Sequence, residues 1–266
     1  MATTIRRWNT PTRPTRLRIR STNTRRTSTT TPTPQRASPV PARPTPAESV
    51  FDRQRLRALL GSHGRLFSEQ LGIHLDGLDP GQLFRWFVAS LLFGARIRES
   101  AAIETYGELK KRGLLTPEAL RAADIMDMVD AMAWGGYSRY DGITTRKLQT
   151  AASRLLDEYG GDLNRLHQHA GDASDLIARL TEFWGVGHTT AGIFLRELRG
   201  LWPRASPPVG DLAMLAAGHL GIEDPQEFWQ GSRVPGYDFR HFEAALTRVG
   251  RDFCRRDRCA QAPVPH

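Results

Sequence analysis

The 266-residue sequence predicts an all-α fold. Apolar residues recur at i, i+3, i+4 and i+7, the spacing of helices that bury one face. No runs of alternating apolar and polar residues flank hairpin turns, so no strand pair is expected. The breaks between the periodic segments are short and carry helix-end chemistry.

The periodic sets run in order along the chain. Phe84, Phe87, Val88 and Leu91 form the first, and Leu148, Ala151, Ala152 and Leu155 the second. Ala173, Leu176, Ile177 and Leu180 follow, then Ala191, Phe194, Leu195 and Leu198, and last Phe242, Ala245, Leu246 and Val249. Gly113 follows Lys110-Lys111-Arg112, a helix end where cations meet free carbonyls. Thr116-Pro117-Glu118 opens the next helix with a cap, a first-turn proline and an early acid. Gly135-Gly136 and Gly160-Gly161 end two more. About ten helices are expected, with no fixed-period repeat of the solenoid kind.

Charge divides the chain. Residues 1–49 hold ten arginines and one acid, Glu48; removing these from the 37 basic and 28 acidic residues leaves 27 of each. The net charge of +9 therefore belongs to the N-terminus alone. Residues 1–48, rich in Thr, Pro and Ser, bury too little apolar surface to offset ordering and are expected to be disordered. This arm reads three ways: a polyanion-binding tail, an N-terminus that only aids solubility, or a transit peptide. The expected folded domain is 49–260, with 261–266 a flexible C-terminus. No apolar run is long enough for a membrane span. Cys254 and Cys259 make no disulfide framework, so a reducing, intracellular setting is expected, with organellar transit as the alternative.

Between two helical segments lies Glu182-Phe183-Trp184-Gly185-Val186-Gly187-His188-Thr189-Thr190-Ala191-Gly192. Gly185 and Gly187 permit a tight turn around Val186, which tucks into the core. The next helix then opens with free amides at His188, Thr189 and Thr190, an anion site by partial charge and by unmet donors. Taken alone, Gly-x-Gly is better read as an ordinary helix-helix turn. No strand precedes it, which argues against a dinucleotide fold.

This segment, 181–192 with its flanks, resembles the helix-hairpin-helix (HhH-GPD) superfamily of base-excision DNA glycosylases, of the endonuclease III-like kind. Leu91-Leu92 resembles the end of the family's helix before its DNA-inserting loop. Gly136-Tyr137-Ser138-Arg139-Tyr140, Lys147-Leu148 and Tyr159-Gly160-Gly161 resemble the segment before the hairpin. Pro208-Val209-Gly210-Asp211, then a helix to Leu220-Gly221, resembles the segment bearing the catalytic aspartate. The resemblance spans roughly residues 50–260 and implies a two-lobed helical fold and a monomer acting on double-stranded DNA.

What the resemblance implies for chemistry is specific. The family hydrolyses the bond between a flipped base and its sugar, with a carboxylate that stabilises the cationic transition state or orients water. Asp211 is the candidate; the other reading is that Asp211 caps its helix. A gapless match of Leu220-Gly221 would instead put Gly210 at the catalytic position, whereas the 3-methyladenine branch often carries its aspartate second in such a pair. Lyase members carry a hairpin lysine that forms a Schiff base. Thr189 stands there, which implies a monofunctional enzyme; Lys147 reads as an exposed helix charge. Gly185, Val186, Gly187, His188 and Thr190 are the candidate backbone grip, and Arg96 the candidate plug for the vacated stack. The carbonyls of Thr181, Phe183 and Val186 match the family's monovalent-cation ligands. The family's iron-sulfur cluster needs four thiolates, so Cys254 and Cys259 alone imply none. Arg251, Arg255, Arg256 and Arg258 make a basic patch or a solvated helix end. Tyr137, Arg139 and Tyr140 are pocket or core residues, Trp184 a packing residue, and His167 and His169 surface residues without a third metal ligand. A non-catalytic DNA-binding protein on the same fold is the alternative function.

Overall fold

Asp at the helix start is the commonest device in this chain. In the computed structural model, which describes residues 51–137, 141–256 and 258, Asp52, Asp79, Asp124, Asp162, Asp172, Asp224 and Asp238 each accept a backbone N–H from the first turn of the helix they precede. Each cap satisfies a donor that the helix cannot. Thr116 does the same for Ala119, with Pro117 at the first turn, as the sequence predicts. In chain order the helices are α1 (Arg53–His63), α2 (Phe67–Gln70), α3 (Pro80–Phe93), α4 (Glu99–Lys111), α5 (Pro117–Ala122), α6 (Ile125–Trp134) and α7 (Asp141–Tyr159). There follow α8 (Leu163–His169), α9 (Ala173–Thr181), α10 (His188–Arg196), α11 (Asp211–His219), α12 (Pro225–Ser232) and α13 (Phe239–Asp252).

Among the described residues the fold is helical throughout, with thirteen α-helices rather than about ten. The excess comes from short helices, such as α2 and α8, too brief to show a period in sequence. The predicted ends hold: Gly113, Gly136, Gly160 and Gly161 sit at positive φ just past α4, α6 and α7. No helix among the described residues is long and apolar enough to cross a membrane. The expected tail, 1–48, and the C-terminus, 261–266, lie outside the described residues.

The buried residues form two cores. The larger gathers α3 to α10 around α3, whose Leu83, Phe84, Trp86, Phe87 and Leu92 are all buried. A helix apolar on every side belongs in the middle of a bundle. The Trp86 indole N–H donates to the Phe194 carbonyl at 3.0 Å, which fixes α3 against α10. The smaller core joins α1 to α11, α12 and α13 through Leu56, Leu59, Ala213, Ala216, Phe242 and Leu246. Helix α11 approaches α13 so closely that a Cβ on Gly250 would stand 1.9 Å from the Leu212 carbonyl oxygen.

Buried polar groups stitch the two cores together. Glu197, 1% exposed, accepts the amides of Phe67 and Ser68 at 2.8 and 2.9 Å. Arg240 donates to the Glu197 carbonyl and pairs with Asp238 and Asp76. Arg248 donates to the carbonyls of His63 and Arg65. A polar group withdrawn from water needs such partners.

His167 corrects one expectation. It is buried rather than on the surface, stacked on Trp202 with ring centroids 4.7 Å apart, while His169 is exposed as predicted. A histidine covered by a residue distant in sequence is easily misread as a surface residue. Burial lowers the pKa of His167, and Arg204 lowers it further. Burial and then Arg248 lower that of His63. In the unfolded chain both protonate near pH 6.5. The folded state binds fewer protons there, so stability is full above that pH and falls as the pH drops below it. Replacing His167 by Phe, which keeps the stack, is expected to flatten this fall between about pH 6.5 and 5. Urea midpoints across that range test it; an unchanged slope would reject the assignment.

Candidate functional site

The turn between α9 and α10 divides the work of its glycines. Gly185 takes φ +91°, which a side chain resists, and a Cβ there would lie 2.5 Å from Lys147 Cδ. Gly187 sits at φ −94° as the N-cap of α10, and a Cβ there meets nothing. Only the first glycine is needed by the fold. Val186 and Phe183 are buried, with Phe183 edge-on to Phe87 at 5.6 Å. No side chain caps α10, so its first amides face outward. Trp184 is 50% exposed, which corrects its reading as a packing residue. Lys147 is half-buried with its stem over Gly185, not an exposed helix charge.

Beside this turn a cleft of about 1450 Å³ opens between residues of the two cores. Three helices present one face each to it. Helix α10 contributes Thr189, Gly192, Ile193 and Arg196, at i, i+3, i+4 and i+7. Helix α9 contributes Ser174, Ile177, Ala178 and Thr181 at the same spacing, and α13 contributes Glu243, Thr247 and Arg251. The opposite face of α10, with Ala191, Phe194 and Leu195, is core. The loop from Gly94 to Arg98 and the segment Pro207–Leu212 close the two ends.

Asp211 lines this cleft together with Thr189, His188 and Arg96. It does not cap its helix: the N-cap of α11 is Gly210, and Asp211 is the first helical residue. Its carboxylate is exposed, with no hydrogen-bond or ion-pair partner among the described residues. In a chain that caps seven helices with Asp, the displacement of one Asp by a single residue leaves its oxygens for another use. Gly210, the other register, has no side chain to do chemistry.

Two groups absent from the sequence reading complete the site. Glu243, 1% exposed, pairs with Arg199 at 2.9 Å and lies 3.4 Å from the Gly210 amide. Arg199 donates in turn to the Pro207 carbonyl at 2.5 Å. Both ends of the segment that presents Asp211 are thus held from below. The signal was present in Phe242-Glu243-Ala244-Ala245-Leu246, where an acid interrupts a buried face. Arg196 is the second; its spacing of seven from Thr189 would have found it.

The cleft is cationic. Arg96, Arg98, Arg196 and Arg255 line it without a carboxylate partner among the described residues. Arg251 is paired with Glu99 and Asp252, so the expected C-terminal patch is only partly free; Arg256 and Arg258 are exposed but outside the cleft lining. Of the three lining acids, Glu99 and Glu243 are paired and Asp211 is free.

The remaining candidates fall as follows. The Thr190 side chain is buried against Gly94, where a Cβ would come within 2.2 Å of its Oγ1, so only its backbone amide, in the uncapped first turn of α10, is left for a grip. Tyr137 is buried, accepts from the Thr144 hydroxyl at 3.0 Å and does not line the cleft. Arg139, Tyr140 and Cys259 lie outside the described residues, and Cys254 is buried.

Because a methyl on Gly187 meets nothing, Gly187→Ala is expected to fold, with only the small loss of stability that Ala brings at an N-cap. If the turn grips a DNA phosphate, as the resemblance implies, the added carbon stands where that phosphate would approach the α10 amides and duplex DNA affinity should fall about tenfold, the loss of a charge-assisted hydrogen bond or two. Fluorescence anisotropy at fixed salt measures this, and unaltered affinity would remove the turn from the interface. Comparison with protein-family models, with curated proteins and with solved structures finds no match to this chain.

Proposed function

We propose that the protein is a monofunctional DNA N-glycosylase on a two-lobed helix-hairpin-helix (HhH-GPD) fold. The observation that carries the reading is the free carboxylate of Asp211, uncapping its own helix and lining the same cleft as Thr189 at the start of the hairpin helix. The target nucleotide leaves the duplex stack and enters the cleft. The amides of α10 hold a neighbouring phosphate, the exposed Arg98 holds the flanking backbone, and the exposed Arg96 plugs the gap left in the stack.

Asp211 then does two things. Its negative charge stabilises the sugar as it becomes cationic, and an oxygen orients the attacking water. The bond between C1′ and the base nitrogen breaks, and its electron pair leaves with the base. The water oxygen bonds to C1′, and its proton passes to Asp211. Thr189 has no amine, so no Schiff base forms and the strand stays intact. The Thr181, Phe183 and Val186 carbonyls would hold a monovalent cation. They are neutral oxygens of one turn, and Phe183 retains a lone pair after accepting the Val186 amide at 2.9 Å. Such an ion adds positive charge beside the phosphate. Two cysteines do not meet the four-thiolate need of an iron-sulfur cluster.

Duplexes carrying single lesions, incubated with the full chain and then treated with hot alkali, test the reading. Breaks that need the alkali support it. Breaks that precede the alkali would remove the assignment of Thr189. Binding without any break would leave a DNA-binding protein on this fold.

A further inference from the structure

The cleft's cation distribution goes beyond a grip on phosphate. Arg196 lies two helical turns along α10 from Thr189, about 10 Å further from the hairpin amides. It is half-buried, and its Nε is wholly buried with no hydrogen-bond partner. Its guanidinium stands over the Phe67 ring, 4.6 Å from the centroid. The same ring carries the Arg248 guanidinium at 4.0 Å.

Two consequences follow for a base in the cleft. A cationic base, such as an N7-alkylated purine, is held best by aromatic faces. Phe67 and Phe93 are the only Phe, Tyr or Trp rings lining the cleft among the described residues, and Phe67 already serves two cations. Four arginines without carboxylate partners would repel such a base as well. A base that leaves as an anion meets the opposite situation. When a pyrimidine-dione departs, the electron pair of the broken bond spreads from N1 onto its carbonyl oxygens. A partner-free guanidinium in a half-buried setting stabilises that charge with fixed donors. The arginines of the lining donate to the carbonyl oxygens of such a base, and the hydroxyls of Thr181, Thr189 and Thr247 can accept from the N3–H between them.

Resting on the glycosylase reading, we propose that the cleft takes neutral pyrimidine-diones of the uracil and thymine class, and that Arg196 stabilises the departing base anion. Breaking the C1′–N1 bond leaves the pair on N1, Arg196 holds the anion while water adds to C1′, and N1 takes a proton from solvent on release.

The test uses the full chain with duplexes bearing uracil, 5-fluorouracil or 7-methylguanine. Wild type is expected to release both uracils and to leave 7-methylguanine at background. Arg196→Gln should slow uracil by ~10²-fold, the loss typical of one such donor, and the more acidic 5-fluorouracil much less. Arg196→Lys, which keeps the charge, should recover part of the rate. Release of 7-methylguanine at the uracil rate, or equal slowing of both uracils in the Gln variant, would overturn the proposal. A second arm measures binding of free 5-fluorouracil as rising pH converts it to its anion. Tighter binding that Arg196→Gln abolishes, with no duplex cut, would keep the anion site and reject the glycosylase. Absence of both binding and cutting would reject the two together.

Discussion

Asp211→Asn is expected to reduce single-turnover base release by a factor of ~10²–10⁴, the range that a positioned proton-transfer group supplies. The amide keeps the size of the side chain but carries no charge and takes no proton from water. Because Gly210, not Asp211, occupies the cap position, the substitution removes no backbone hydrogen bond. The unfolding midpoint should therefore shift by less than about 0.5 kcal/mol, as for an exposed surface change. It should also tighten binding to duplex DNA, since it removes the one free negative charge from a cleft lined by arginines. This combination separates chemistry from folding. A protein whose rate and DNA affinity both ignore the substitution would be one in which Asp211 has no part in the site. A rate unchanged with affinity raised would mean that another group handles the water.

Helices were legible in this chain because their faces repeat. Phe84, Phe87, Val88 and Leu91 announce α3, and Phe242, Ala245, Leu246 and Val249 announce α13; all eight are buried. The turn at Gly185 was legible because few residues reach φ +91°. What escaped was chemistry that depends on distance through space. His167 looks polar in sequence, yet Trp202, thirty-five residues on, covers it. Thr190 follows Thr189 and shares its character, but one step along a helix turns a side chain by about 100°, from the cleft into the wall beside Gly94. Arg196 and Glu243 escaped for a related reason. Each is one charge among many, and only its failure or success in finding a partner marks it out. Arginine 196 found an aromatic ring and no carboxylate. Glutamate 243 found an arginine forty-four residues away. Spacing within a helix is a local property, whereas pairing between helices is set by the packing of α10, α13 and the segment between them.

That pairing carries the second large expectation. Glu243→Ala should destabilise the protein by about 3–5 kcal/mol, because it strands Arg199 in a site where both side chains are below a tenth exposed. Chemical unfolding with an unchanged m-value measures the loss. Replacing both partners with apolar residues, Arg199→Met with Glu243→Leu, should restore most of it, since a buried pair rarely outperforms packed carbon of similar volume. Stability and activity then part company. The double variant still lacks the acceptor near the Gly210 amide and the donor to the Pro207 carbonyl. The segment from Pro207 to Asp211 loses both of its fixed points while the cores on either side remain. A carboxylate misplaced by about 1 Å costs on the order of 10²-fold in rate. The refolded double variant should therefore bind DNA as wild type does and release base slowly. Full activity in that variant would show that Asp211 is aimed by the packing of α11 on α13, through the close approach at Gly250, and that the buried ion pair serves stability alone.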